Sequence, residues 1–196
     1  MTISFEVRRK IMHVFLGVVI VFLIYYDILE FWMSLSLLLS GILISLISRK
    51  KSVPIISVFL MKYDRPEHFE TPGKGVISIF SSISVLLLFM ESGVITKNVV
   101  LASLMIWSFG DSTAAVFGKI YGRNSFIFSK KSLEGTVAGI IAATIGALFF
   151  VPIYAAFPAA LLVMIIEGLE NVFFKRPIDD NILVPLLAAS IISFIL

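Results

Sequence analysis

Long apolar blocks fill most of the chain, and its polar residues collect in the breaks between them. The blocks cover 9–26, 31–48, 75–91, 98–118, 134–151, 155–173 and 181–196. A membrane-crossing helix takes about 20 mainly apolar residues, so the pattern predicts seven helices of that kind. Two are marginal: the pair around Pro152 and Pro158 leaves a very short return turn, and the last block runs to the final residue. The stretch Ser52–Met61 is too short to span and reads as an interfacial or re-entrant helix. The first block follows a basic start, as a secretion signal does. However, no small-residue cleavage pattern comes after it, and Tyr25, Tyr26 and Asp27 close it as a membrane interface does. It is expected to be a retained first helix.

Composition supports this reading. The chain has 196 residues, of which 59% are hydrophobic and 15% charged. Soluble domains average roughly 45–50% apolar and about 25% charged residues. Mean hydropathy is +1.03. With no cysteine, disulfides, zinc–thiolate sites and thiol nucleophiles are excluded. The net charge of +3 is small, and its distribution is what carries information.

Seven alternating spans put the N-terminus and the loops 49–74, 119–133 and 174–180 on one side. That side then holds all of the 16 lysines and arginines except Lys97. By the positive-inside rule this face is cytoplasmic. The expected fold is all-α: one polytopic integral membrane bundle over 1–196, of about seven helices, with its N-terminus in the cytoplasm and its C-terminus outside. In a prokaryote its place is the plasma membrane. The opposite side offers only Asp27, Glu30, Glu91 and Lys97. A transporter usually spreads functional polar groups near the midplane and on both sides, so one-sided chemistry argues for an enzyme working on lipid with a cytosolic co-substrate. A transporter or scaffold without catalysis is the alternative from another class. Nothing points to a nucleic-acid partner.

Four polar constellations lie on the basic side. In the centre, Gly110, Asp111 and Ser112 sit in the fourth block, and Gly118, Gly122 and Arg123 follow at its end. Lys130, Lys131, Glu134, Gly135 and Thr136 open the fifth. A carboxylate at a bilayer centre costs roughly 2.5–3.5 kcal/mol, so a purely structural helix has little use for Asp111. Glycines let backbone approach phosphates, helix N-termini favour anions and lysines neutralise them. A carboxylate beside such a cradle suits a divalent cation that bridges phosphates. The plainer reading is that Gly118 and Gly122 are helix C-caps, and that Ser132 with Glu134 caps the next helix. That reading leaves Asp111 unexplained.

At the N-terminus, Glu6, Arg9, Lys10, His13 and Gly17 fall on one helical stripe. In the loop "KYDRPEHFETPGKG", Lys74 stands out, although the spacing of a phosphate-binding P-loop is missing. Late in the chain, Glu167, Glu170 and Asn171 share a helical face. Asp179, Asp180 and Asn181 open the last block, as cap residues or as a metal- or hydroxyl-activating pair.

These residues carry a resemblance. "GDSTAAVFGKIYGR" followed by "KKSLEGT" resembles the nucleotide signature of the family of dolichol kinase, phytol kinase and yeast-type diacylglycerol kinase, membrane enzymes that phosphorylate a lipid alcohol, commonly with CTP. "EVRRKIMHVFLG" is similar to the family's N-terminal E-x-x-R-K-x-x-H pattern, and "DDNILVPL" to its D-N-x-x-[IV]-P-L stretch. The signature also resembles that of phosphatidate cytidylyltransferases, but their H-G-G-x-x-D-R-x-D stretch is absent. The resemblance implies transfer of the γ-phosphoryl group of CTP to a polyprenol, phytol or diacylglycerol hydroxyl. Asp111, His13 and Asp180 are the expected catalytic residues. Mg²⁺ is expected on Asp111 with Glu134 or Asp180. Gly110, Ser112, Gly118, Gly122, Arg123, Lys130, Lys131, Glu134, Gly135 and Thr136 are expected at the nucleotide. Glu6, Arg9, Lys10, Lys74, Glu167 and Asn181 complete the polar surroundings.

Overall fold

A computed structural model describes residues 3–50, 72–126, 131–169 and 178–196. The short helix expected at 52–61, the polar residues from Lys62 to Glu70, and Lys130, Glu170, Asn171, Lys175 and Arg176 lie outside the described residues. All regular elements among the described residues are helical. They are α1 (Ile3–Tyr25), α2 (Phe31–Lys50) and α3 (Lys74–Glu91), then α4 (Lys97–Tyr121), α5 (Leu133–Ala147), α6 (Ile153–Gly168) and α7 (Asp180–Ile195). A single antiparallel bridge joins Ser125 to Ser132.

Each helix coincides with one apolar block of the sequence, and local chemistry sets its ends. Asp27 turns to φ 56° after α1, and the amides of Ile28 and Leu29 fold back onto Leu23 O at 2.8 and 3.1 Å. Thr96 caps α4, Ser132 caps α5 by accepting from the Gly135 amide at 3.1 Å, and Asp179 caps α7 by accepting from the Asn181 amide at 3.1 Å. α1 begins six residues earlier than its apolar block. Its first turns carry Glu6, Arg8, Arg9 and Lys10, of which Glu6 and Lys10 are buried, so this polar stretch belongs to the interior.

α4 is the axis of the bundle. Every residue from Val99 to Ile106 is 8% exposed or less, and α1, α5 and α7 pack around it. α2 sits at the periphery against α3. Among the described residues, three helices are long and apolar enough to cross a membrane, with spans Phe31–Ser48, Lys74–Glu91 and Lys97–Tyr121. α5, α6 and α7 have 15, 16 and 16 residues. At 1.5 Å per residue they reach roughly 22–24 Å, less than a hydrocarbon core of about 30 Å. The outer faces are apolar; Phe194, Phe149 and Trp32 are 91%, 76% and 69% exposed.

Close crossings depend on small side chains. Gly110, Ala114 and Gly118 recur every four residues on α4, as do Gly135, Gly139 and Ala143 on α5. A Cβ on Gly135 would lie 2.5 Å from Ala114 O and 2.8 Å from Gly118 Cα. Such stripes let two helix backbones approach where apolar surroundings offer no hydrophobic drive. Gly17 does the same for α1, since a Cβ there would meet Ser108 Oγ at 2.2 Å.

Polar contacts distinguish the two ends of the bundle. At one end Lys97 Nζ donates to the Asp27 carboxylate at 2.6 and 2.7 Å, and the Phe31 amide donates to Glu91 Oε1 at 3.1 Å. The start of α1, the starts of α3, α5 and α7, and the ends of α4 and α6 gather at the other, where the polar chemistry lies.

Candidate functional site

The π-helical stretch Ile106–Asp111 interrupts α4 at the level of the site. Such insertions add a residue to a turn and often occur at functional positions. Here Trp107, Ser108, Gly110 and Asp111 are all buried. Asp111 is 5% exposed and accepts a hydrogen bond from Lys10 Nζ at 2.6 Å. His13, one turn further along α1, has its Nε2 3.5 Å from the same Asp111 Oδ2, and its ring lies 4.1 Å from that of Trp107. This Nε2 has no hydrogen-bond partner.

Two more acids converge on Asp111. Glu167, in the last turn of α6, and Asp180, in the first turn of α7, join it so that one carboxylate oxygen from each residue lies within 4.8 Å of the others. Lys131, just before α5, donates to Glu167 Oε1 at 2.8 Å and to Asp180 Oδ1 at 3.3 Å. Three acids from three helices are thus held by two lysines, Lys10 on Asp111 and Lys131 on Glu167 and Asp180. Glu167 Oε2 is buried without a hydrogen-bond partner. A carboxylate oxygen left this way loses its hydration without compensation, which marks it as an acceptor awaiting a cation or a proton.

A second network braces the cluster. Trp107 Nε1 donates to Asn181 Oδ1 at 2.9 Å, and Asn181 Nδ2 donates to Gly75 O at 3.4 Å. Ser78 Oγ donates to Asp179 Oδ2 at 3.1 Å, and Lys74 Nζ lies 4.0 Å from that oxygen. Pro185 has no N–H for the carbonyl four residues back, which is that of Asn181. Ser82 Oγ supplies the missing donor at 2.7 Å. Asn181 and Pro185 are therefore linked physically: the proline frees a carbonyl with which α3 holds α7.

The structure divides the residues expected at the nucleotide. Lys131 joins the acids. Gly110, Gly118 and Gly135 are used in helix crossings, as above, and Gly122 is confined by Ser132 Cβ, 2.7 Å from where its own Cβ would be. Thr136 Oγ1 donates back to Ser132 O at 3.1 Å. Gly122, Arg123 and Glu134, with Ile120 and Tyr121, line an open cleft of about 410 Å³. Glu134 accepts from the Asn124 amide at 3.1 Å and from Asn124 Nδ2 at 2.8 Å, so it holds the turn after α4. Of the two acids expected to join Asp111 at a metal, Asp180 stands with it in the acid group, Glu134 does not, and Glu167 is the third member. Glu134 points to solvent-facing loop backbone instead of into the bundle.

On α1 the expected stripe faces inward as a unit. Glu6 pairs with Arg9, and Lys10 and His13 reach Asp111. Sequence reasoning overlooked Trp107, Ser78 and Ser82. Trp107 stands four residues before Asp111, and that spacing was the available signal.

A search of curated proteins finds the uncharacterized protein MJ1137 of Methanocaldococcus jannaschii, 28% identical over 190 residues, covering 96% of this chain and 93% of that protein. No family model matches the chain, and no solved structure matches it significantly.

Proposed function

We propose that the chain is an integral membrane, CTP-dependent lipid-alcohol kinase whose site faces the cytoplasm, with its N-terminus inside and its C-terminus outside. The observation that carries the reading is the convergence of Asp111, Glu167 and Asp180 with Lys10 and Lys131 at one end of the helices. Among the described residues, Arg8, Arg9, Lys74, Lys119 and Arg123 lie at that same end, and the resemblance of the central motif supplies the nucleotide and the acceptor class.

The acid group fits Mg²⁺. It offers hard carboxylate oxygens and includes the unpartnered Glu167 Oε2. Asp111, Glu167 and Asp180 would hold the ion, which when bound neutralises phosphate charge and orients the transferred group. The chain's own residues do the rest. Lys10 holds one carboxylate and Lys131 two, and their ammonium groups would pair with phosphate oxygens. Arg123, in the open cleft, would meet the outer part of the nucleotide. The alcohol oxygen attacks the γ-phosphorus, a new O–P bond forms, and the bond to the bridging β-oxygen breaks, with CDP leaving with the electron pair. His13 Nε2, which lacks a hydrogen-bond partner, takes the hydroxyl proton. Asp180 is the poorer base because Lys131 already occupies one of its oxygens. Phosphoryl transfer depends mainly on positioning and charge neutralisation, which a rigid bundle with buried ion pairs supplies.

The test uses purified protein, CTP labelled at its γ- or α-phosphate, Mg²⁺, and a panel of lipid alcohols with phosphatidic acid. The kinase reading expects γ-label in the lipid and CDP released. Lipid carrying α-label, with pyrophosphate released, would replace it with a cytidylyltransferase. No nucleotide-dependent product from any acceptor would refute both.

A further inference from the structure

A groove of about 440 Å³ runs between α1 and α4 on the outside of the bundle. Its walls are Ile11, Val14 and Phe15 from α1 and Val116 and Phe117 from α4. Ile11, Phe15 and Phe117 are 62%, 59% and 45% exposed, so the groove opens outward onto the apolar surface rather than into the cleft at Arg123. The groove is almost wholly apolar. Val7 also lines it, and its few polar groups come from Lys10, Ser112 and Thr113; Ser112 Oγ is buried without a hydrogen-bond partner. Ser112 follows Asp111 directly in the chain, and Lys10 bonds Asp111 at 2.6 Å. The groove therefore leads from an outer apolar face to the edge of the acid group.

We infer that this groove holds the alcohol substrate, a single-chain lipid alcohol, with its chain between α1 and α4 and its hydroxyl at Ser112 Oγ and Lys10. The inference rests on the kinase reading for the reaction but not for the binding. The occupant follows from the shape and chemistry of the groove. An α-helix with side chains is about 10–12 Å across and cannot bring a polar group down to a buried hydroxyl between two packed helices. An alkyl or isoprenoid chain is thin enough, and its one polar end matches a lining that is apolar except at Lys10, Ser112 and Thr113. The volume falls within the range of about 300–1,000 Å³ usual for small-molecule sites. One channel between two helices suits one chain better than the two of a diacylglycerol. Ser112 Oγ can accept from the alcohol or donate to it, one residue along the chain from Asp111, which Lys10 and His13 both reach.

The experiment labels the full chain in nanodiscs with a long-chain primary alcohol carrying a diazirine at mid-chain, and maps the cross-linked peptides. Label should concentrate on α1 and α4, and unlabelled long-chain alcohol should compete with it. Ile11→Trp and Val116→Trp, which fill the groove from opposite walls, should each cut labelling at least about tenfold and raise KM for long-chain alcohol similarly, with KM for CTP unchanged. Leu43→Trp, on the outer face of α2, should change neither. Retained divalent-cation binding shows that each variant is folded. Ser112→Ala should weaken labelling by the alcohol but not by the matching alkane, a contrast that a merely structural serine would not produce. Label spread evenly over the outer helices, or insensitive to both tryptophans, overturns the inference even if the enzyme phosphorylates alcohols. Label confined to the groove in a protein that makes no phosphorylated product sustains the binding site and refutes the kinase reading alone.

Discussion

Replacing Lys10 with methionine removes the ammonium that lies 2.6 Å from Asp111 Oδ2, with both side chains less than 10% exposed. Removing one partner of a buried ion pair typically costs about 3–5 kcal/mol, because the remaining charge keeps its desolvation penalty and loses its compensation. For a chain of this size each kcal/mol corresponds to roughly 2–4 °C, so the melting temperature should fall by about 6–20 °C in metal-free buffer. Mg²⁺ should then restore part of the loss. At a free concentration of 100 times Kd, binding to the folded state contributes about 2.7 kcal/mol. The recovery should exceed the Mg²⁺ effect on the wild type, since Lys10 no longer competes for Oδ2. Adding Asp111→Leu removes the orphaned charge and should return most of the stability without any Mg²⁺ response. The assay is thermal unfolding in detergent, with chelator and then with a Mg²⁺ series. A Lys10→Met protein as stable as the wild type in chelator, or a double variant as unstable as the single one, would refute the reasoning.

Other consequences are smaller in scale. Gly135→Ala places a methyl group 2.5 Å from the Ala114 carbonyl oxygen; it should cost about 1–3 kcal/mol through overpacking, read as a lower melting temperature. Gly41→Ala, whose new methyl would meet only Ile77 Cγ1 at 3.8 Å, should instead stabilise by roughly 0.5–1 kcal/mol in the same assay. Lys97→Ala breaks a pair with Asp27, whose side chain is 67% exposed; the loss should be at most about 1 kcal/mol, with product formation unaffected.

The sequence made the helices legible because each apolar block is long, and three of the helices open on a capping side chain, Thr96, Ser132 or Asp179. The inward stripe of α1 was legible too, since Glu6, Arg9, Lys10 and His13 share a helical face that a lipid-facing helix would not carry. The role of the glycines was harder to read. A glycine that admits a phosphate and one that admits a neighbouring helix look alike in a short window. Only the four-residue recurrence of Gly110, Ala114 and Gly118, matched by Gly135, Gly139 and Ala143, separates the two. The acids illustrate a second limit. Glu134 and Asp180 are the two acids expected with Asp111, but Ser132 starts α5 in a direction that leaves Glu134 on the Asn124 turn. Glu167 and Asp180, far along the chain, arrive at Asp111 because α6 ends and α7 begins at the same depth. Long-range proximity of that kind is set by helix lengths and crossings, which no local pattern encodes. The π-helical stretch is likewise invisible in the sequence, although it brings Trp107 and Asp111 into the interior together.

The measurement closest to the central claim is divalent-cation binding to the purified chain, followed by Mn²⁺ spectroscopy and displaced by Mg²⁺. The account predicts a site that Asp111→Asn, Glu167→Gln and Asp180→Asn each weaken strongly, while Glu134→Gln leaves it unchanged. Binding that depends on Glu134 and ignores Glu167, or no binding by the wild type with or without CTP, would contradict it.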